Sequence, residues 1–101
     1  MTTAILNGVV IAEAHQDELI KIEGNWYFPP ASVKSGFLSD SATPYTCPWK
    51  GECQYFSVKD GDKLLQDRAW SYPQPFESAF ARTGGKDFSN YVAFWKEVQV
   101  A

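Results

Sequence analysis

YTCPWKGE, residues 45–52, and YVAFWKEV, residues 91–98, share one frame: a tyrosine, three varied residues, then Trp-Lys. Working outward from each copy, more of the chain lines up. Upstream of the first stand Asn7-Gly8 and WYFPP from Trp26 to Pro30; upstream of the second stand Asp60-Gly61 and WSYPQP from Trp70 to Pro75. The order of turn, aromatic strand, prolines and Tyr…Trp-Lys is the same in both halves, and such self-similarity is the mark of an internal repeat. The chain is therefore expected to be a single domain over residues 1–101, with half-repeats over about 5–55 and 56–101. Neither half can bury an apolar face alone, which predicts a mainly β protein of two small antiparallel sheets packed together with pseudo-twofold repetition.

Local signals agree with strands. Asn7-Gly8, Glu23-Gly24 and Asp60-Gly61 read as hairpin turns between short β-rich runs such as VVIAE, LIKIE and CQYFSV. Pro29-Pro30 ends the strand Trp26–Phe28, because proline has no N–H to give a ladder. ASVKSGFL, residues 31–38, and FESAFA, residues 76–81, have the spacing of one or two short helices, although Gly36 weakens the first. SDSATP, residues 39–44, reads as a loop, and YVAFWKEVQV, residues 91–100, as a closing strand.

Composition narrows the function classes. Four Trp, five Tyr and seven Phe make the chain 16% aromatic, enough for a few rings to complete a small core or to line a pocket. The net charge is −3 and the basic residues are scattered, so the basic patch of a nucleic-acid binder is missing and no nucleic-acid partner is expected. No apolar run reaches the ~20 residues of a membrane span, and MTTAILNG does not resemble a leader, so the chain reads as cytoplasmic with no membrane partner. Cys47, Cys53 and His15 fall short of a closed zinc site, and no metal is expected; no motif names a cofactor.

The candidate site follows from the repeat. If the two halves face each other across a groove, Tyr45, Trp49, Lys50, Trp70, Tyr72, Tyr91 and Trp95 line an aromatic cleft for a small molecule, held by stacking and cation–π contact. The plainer reading of the same rings is equivalent core positions in two halves. Cys47 is the asymmetric residue, since Ala93 stands at its place in the second copy. A thiolate there, favoured by Lys50 or Lys96 and served by His15, Glu13, Glu23 or Glu52 as base, would make the protein an enzyme. Free cysteine also behaves as a small buried hydrophobe, which gives Cys47 and Cys53 a packing role instead. A protein-interaction module is the third class, marked by aromatics exposed outside a pocket.

NGVVIAE, GNWYFPP, TCPWKG, AWSYPQP and YVAFWKEVQV together resemble the family catalogued as domain of unknown function 427, which also carries a nucleotidyltransferase label. The resemblance spans essentially the whole chain and implies a small, mainly β protein, with two sheets leaning together in the manner of a β-tent. The nucleotidyltransferase activity that the label implies calls for clustered carboxylates around Mg²⁺ and groups to hold phosphates. Asp60-Gly61-Asp62 instead reads as a hairpin tip, and Thr83-Gly84-Gly85-Lys86 lacks the spacing and following Ser or Thr of a Walker motif.

Overall fold

A computed structural model describes residues 1–101. Strands β1 (Thr2–Leu6) and β2 (Val9–Ala14) form a hairpin, and β9 (Gln99–Val100) adds to its β1 edge. Strands β3 (Ile20–Ile22) and β4 (Asn25–Tyr27) form a second, separate hairpin. The largest sheet runs β5 (Leu38–Cys47), β6 (Gly51–Asp60), β7 (Lys63–Ser71) and β8 (Ala93–Phe94), in that order. All strand pairs are antiparallel.

The turns form where their residues allow positive φ. Asn7 and Gly8 have φ of 48° and 80°, and Glu23 and Gly24 have 54° and 84°, so each supplies the two left-handed residues that a tight hairpin needs. The core follows the two-residue period of extended chain. Tyr27 points into one cluster with Ile20, Ile22, Cys47, Cys53, Tyr72, Phe88 and Ala93, while Phe28 points into another with Leu6, Ile11, Val58, Val92 and Phe94. Val92, Ala93 and Phe94 alternate between the same two clusters. Isolated pairing of Phe28 with Val92 joins the β3–β4 hairpin to the main sheet between these cores.

Several expectations are corrected. There are three sheets where two were expected, because β3–β4 shares no ladder with either larger sheet and is linked to the main one by the isolated Phe28–Val92 bridge. Both predicted helices are only 3-10 segments, Pro30–Ser32 and Glu77–Thr83, and a third covers Gln16–Glu18. Gly36, at φ 90°, keeps residues 31–38 from continuing as a helix. Residues 39–44 belong to β5 rather than to a loop. Pro44 fits there because β5 is an edge strand, where a missing N–H goes unnoticed. The closing stretch is two short strands split at Lys96, whose φ of 61° turns the chain. The aligned phrases also differ in setting: Trp26 sits on a three-residue strand of a two-stranded sheet, Trp70 near the end of a nine-residue strand of the four-stranded one. No helix is long and apolar enough to cross a membrane.

Candidate functional site

Paired irregularities shape the centre of the main sheet. On β5, Ser41, Ala42 and Thr43 lie between the pairs Asp40–Phe56 and Pro44–Gln54, opposite Tyr55 alone. On β7, Gln66, Asp67 and Arg68 lie between Leu65–Val58 and Ala69–Phe56, opposite Ser57 alone. Extra residues of this kind bend a strand and re-aim its side chains, and they gather beside functional sites. Asp67 takes the strain of the second bulge with φ at 59°, a conformation that aspartate tolerates better than most residues. The two bulges meet across β6, where the Thr43 hydroxyl donates to Asp67 Oδ2 at 2.7 Å.

A cleft of about 620 Å³ opens over these bulges. Thr43, Pro44 and Tyr45 of β5, Tyr55 of β6, and Asp67 and Trp70 of β7 form its base, with Tyr72 just beyond. The β3–β4 hairpin contributes Glu23, Asn25 and Tyr27, the β5–β6 turn Lys50, and the end of β8 Trp95. Trp95 is tied to the bulge by its backbone N–H, which donates to Arg68 O at 2.9 Å. Trp70 Nε1–H donates to the Tyr27 hydroxyl at 2.9 Å, bonding the hairpin wall to the sheet. Burial pushes Tyr27 up to about 12 and raises Tyr72 and Tyr55, so these phenols stay protonated donors at neutral pH.

Lys50 shows why TCPWKG takes its form. Cys47 pairs with Gly51, leaving Pro48, Trp49 and Lys50 as the turn. Gly51 has φ of 115°, and a Cβ there would stand 3.3 Å from Gln74 O and 3.5 Å from Phe76 N, so the passing segment needs glycine. Lys50 is only 5% exposed. Its ammonium pairs with Glu23 and lies 4.7 Å from the Trp49 ring centre and 5.3 Å from that of Tyr72. The hydrogen bond from Lys50 holds the Glu23 carboxyl below its ordinary value, with help from Trp49 and Arg82.

Of the residues expected to line a cleft, Tyr45, Lys50, Trp70, Tyr72 and Trp95 come together here. Trp49 does not face the cleft; it is half-buried between Lys50 and Arg82, whose guanidinium lies 4.9 Å from its ring. Tyr91 lies apart, in a shallow depression with Asp17 and Lys86. Cys47 is 4% exposed, in the core cluster with Cys53, Tyr72 and Ala93, and is absent from the lining. Burial pushes the Cys53 thiol up to about 11. His15 is exposed at the head of the first 3-10 segment, where its backbone N–H donates to Glu18.

The lining residues that the sequence reading passed over are Asn25, Tyr27, Thr43, Pro44, Tyr55 and Asp67. A signal existed for Asp67: aspartate is depleted in strands, so its place inside KLLQDRAWS marks an irregularity.

Two remaining motifs have structural roles. Gly84, at φ 66°, ends the 3-10 segment Glu77–Thr83, and the Gly85 N–H donates to Phe80 O at 2.7 Å, which makes TGGK a helix stop. Asp60 accepts from the Asn7 side chain at 2.7 Å across two hairpin tips. No three His, Cys, Asp or Glu residues gather in a metal-holding group.

None of the curated proteins matches the chain. The family model described as Domain of unknown function (DUF427), which also bears a nucleotidyltransferase label, matches residues 1–101, and the chain belongs to that family.

Proposed function

We propose that the protein binds a small planar molecule in the cleft between the β3–β4 hairpin and the main sheet, without covalent chemistry. The observation that carries this reading is the convergence of Tyr27, Tyr45, Tyr55, Trp70, Tyr72 and Trp95 on one cleft that also holds polar groups. Aromatic walls with few polar groups are the usual form of a small-molecule site. Tyr45 and Trp95, 46% and 54% exposed, stand at the rim and are reachable from solvent. Burial of Cys47 outside the lining favours binding over catalysis by a thiolate, because a nucleophile must meet its substrate.

The test is a titration with planar naphthalene derivatives, following the indole N–H resonances of the four tryptophans. Binding in the cleft perturbs Trp70 and Trp95 saturably, leaves Trp26 the least affected, and persists in Cys47→Ala. Compounds that perturb none of the indoles, or only Trp26 and Trp49, would count against the reading.

A further inference from the structure

We propose that the cleft selects a planar organic cation, an amidinium or a protonated amino-heterocycle, and that Asp67 is the residue that recognises its N–H groups. This rests on the binding reading above and adds to it a ligand class and a specificity-determining residue.

The first argument is charge. Glu23, Lys50 and Asp67 are the charged residues of the lining, and Glu23 and Lys50 neutralise each other. Arg68, next to Asp67 in the chain, is turned to Glu97, with Nε 2.6 Å from Oε1. The Arg68 guanidinium also lies 5.5 Å from the Trp95 ring centre, so it screens Asp67 from the side of the rim but makes no ion pair with it. Asp67 is thus the one charged lining residue with no ion-pair partner, and the lining residues themselves sum to a negative charge among π faces. Both features attract a cation and repel an anion.

The second argument is hydrogen bonding. Asp67 Oδ2 accepts from Thr43, whereas Oδ1 is shielded from solvent and has no partner, the only such side-chain atom in the protein. An unpaired buried carboxylate oxygen is costly and calls for a partner, which a donor bound in the cleft would supply. The Cβ–Cγ torsion of aspartate is soft, so a small rotation brings Oδ1 toward a donor in the cleft. A ligand with paired N–H groups can then bond both oxygens, as charge-assisted bidentate partners do. The strained φ at Asp67 and the facing bulges hold the carboxylate at this place in the sheet.

Matched probes of opposite charge test the assignment: 2-naphthamidine and 2-naphthoate, titrated against wild type, Asp67→Asn, Asp67→Gly and the hairpin-tip control Asp62→Asn. Asn and Gly both suit φ near 59°, so neither should disturb the bulge, and thermal melting with the indole spectrum checks the fold. Wild type should bind the amidine at least about tenfold more tightly than the carboxylate, and both Asp67 variants should lose about tenfold or more of the amidine affinity. Asp67→Asn keeps a side-chain oxygen to accept from Thr43 and should melt close to wild type, whereas Asp67→Gly also loses that hydrogen bond and should melt somewhat lower. Asp62→Asn should bind as wild type does, which separates a local contact from net charge. Unchanged amidine affinity in both Asp67 variants, or naphthoate binding as well as the amidine, would overturn the assignment and leave the cleft reading intact. Failure of both probes to perturb Trp70 or Trp95 would overturn both.

Discussion

The two Tyr…Trp-Lys phrases are alike in sequence and unlike in place. In the first, the phrase closes a hairpin between long strands, and Lys50 is drawn inward to Glu23, Trp49 and Tyr72. In the second, it closes a two-residue strand, and Lys96 is exposed, 5.9 Å from the Trp95 ring. Each phrase needs a residue of positive φ just after its tryptophan. The first uses Gly51 two positions on, and the second uses Lys96 one position on. That difference in where the chain turns sends one lysine under the β3–β4 hairpin and the other to solvent. Cys47 and Ala93 nevertheless share one core cluster, so the phrases are closest where they are buried. A shared phrase therefore reports a shared local shape more reliably than a shared chemical role.

The comparison breaks most sharply at Gly51. Gly51→Ala places a Cβ 3.3 Å from Gln74 O on a backbone that only glycine adopts freely, and it should cost about 3 kcal/mol in chemical denaturation. Glu97→Ala, two residues after the second tryptophan, should leave the denaturation midpoint nearly unchanged. Equal losses in the two variants would show that the turn geometry does not separate the phrases.

The buried lysine supplies the next largest effect. Glu23→Gln leaves the Lys50 ammonium buried without its counter-ion and should cost about 2 kcal/mol. This is less than for a fully enclosed pair, because the Glu23 side chain is 59% exposed. Lys50→Met should cost less, since it leaves only a carboxylate that water already reaches. The pair also fixes a pH dependence. The folded value of Glu23 is lowered, so its contribution is present at neutral pH and fades as pH falls from about 4.5 toward that lower value. Denaturation midpoints across that acid range should fall in wild type by more than in Glu23→Gln. A midpoint that responds equally to acid in both proteins would remove the ion pair from the account.

The hairpin tips were legible in the sequence because Asn-Gly and Glu-Gly pairs permit φ values that most residues avoid. The aromatic half of the cleft was legible for a related reason: Trp70 and Tyr72 stand out beside prolines that end a strand. The other half was not. Ser39–Pro44 reads as loop because serine, aspartate and proline are all poor strand residues, and only the edge position of β5 makes them acceptable. Thr43 and Asp67 meet only because bulges on two different strands face each other across β6, a register that no local pattern encodes. Trp49 misled for the opposite reason: it belongs to the most distinctive phrase, yet its work is to hold Lys50 and Arg82 on its faces.

A smaller effect sharpens the meaning of the cysteine. Cys47→Ala makes the two phrases identical at their buried position, and deleting one well-packed sulfur should cost about 1 kcal/mol. Alkylation of Cys47 and Cys53 in the native protein should proceed no faster than unfolding exposes them, since they are 4% and 7% exposed. Rapid alkylation of Cys47 at neutral pH would instead give the first phrase a chemistry that the second lacks.

The smallest expected effect has the opposite sign. Lys96 carries a Cβ at φ 61°, which costs a non-glycine residue about 1 kcal/mol, and its side chain is exposed. Lys96→Gly removes that strain, while the added freedom of glycine in the unfolded chain takes back part of the gain. The net should be a few tenths of a kcal/mol of added stability by denaturation. If Lys96→Gly destabilises instead, then contacts of the Lys96 side chain outweigh its backbone strain, and the second phrase holds its lysine for a reason of its own.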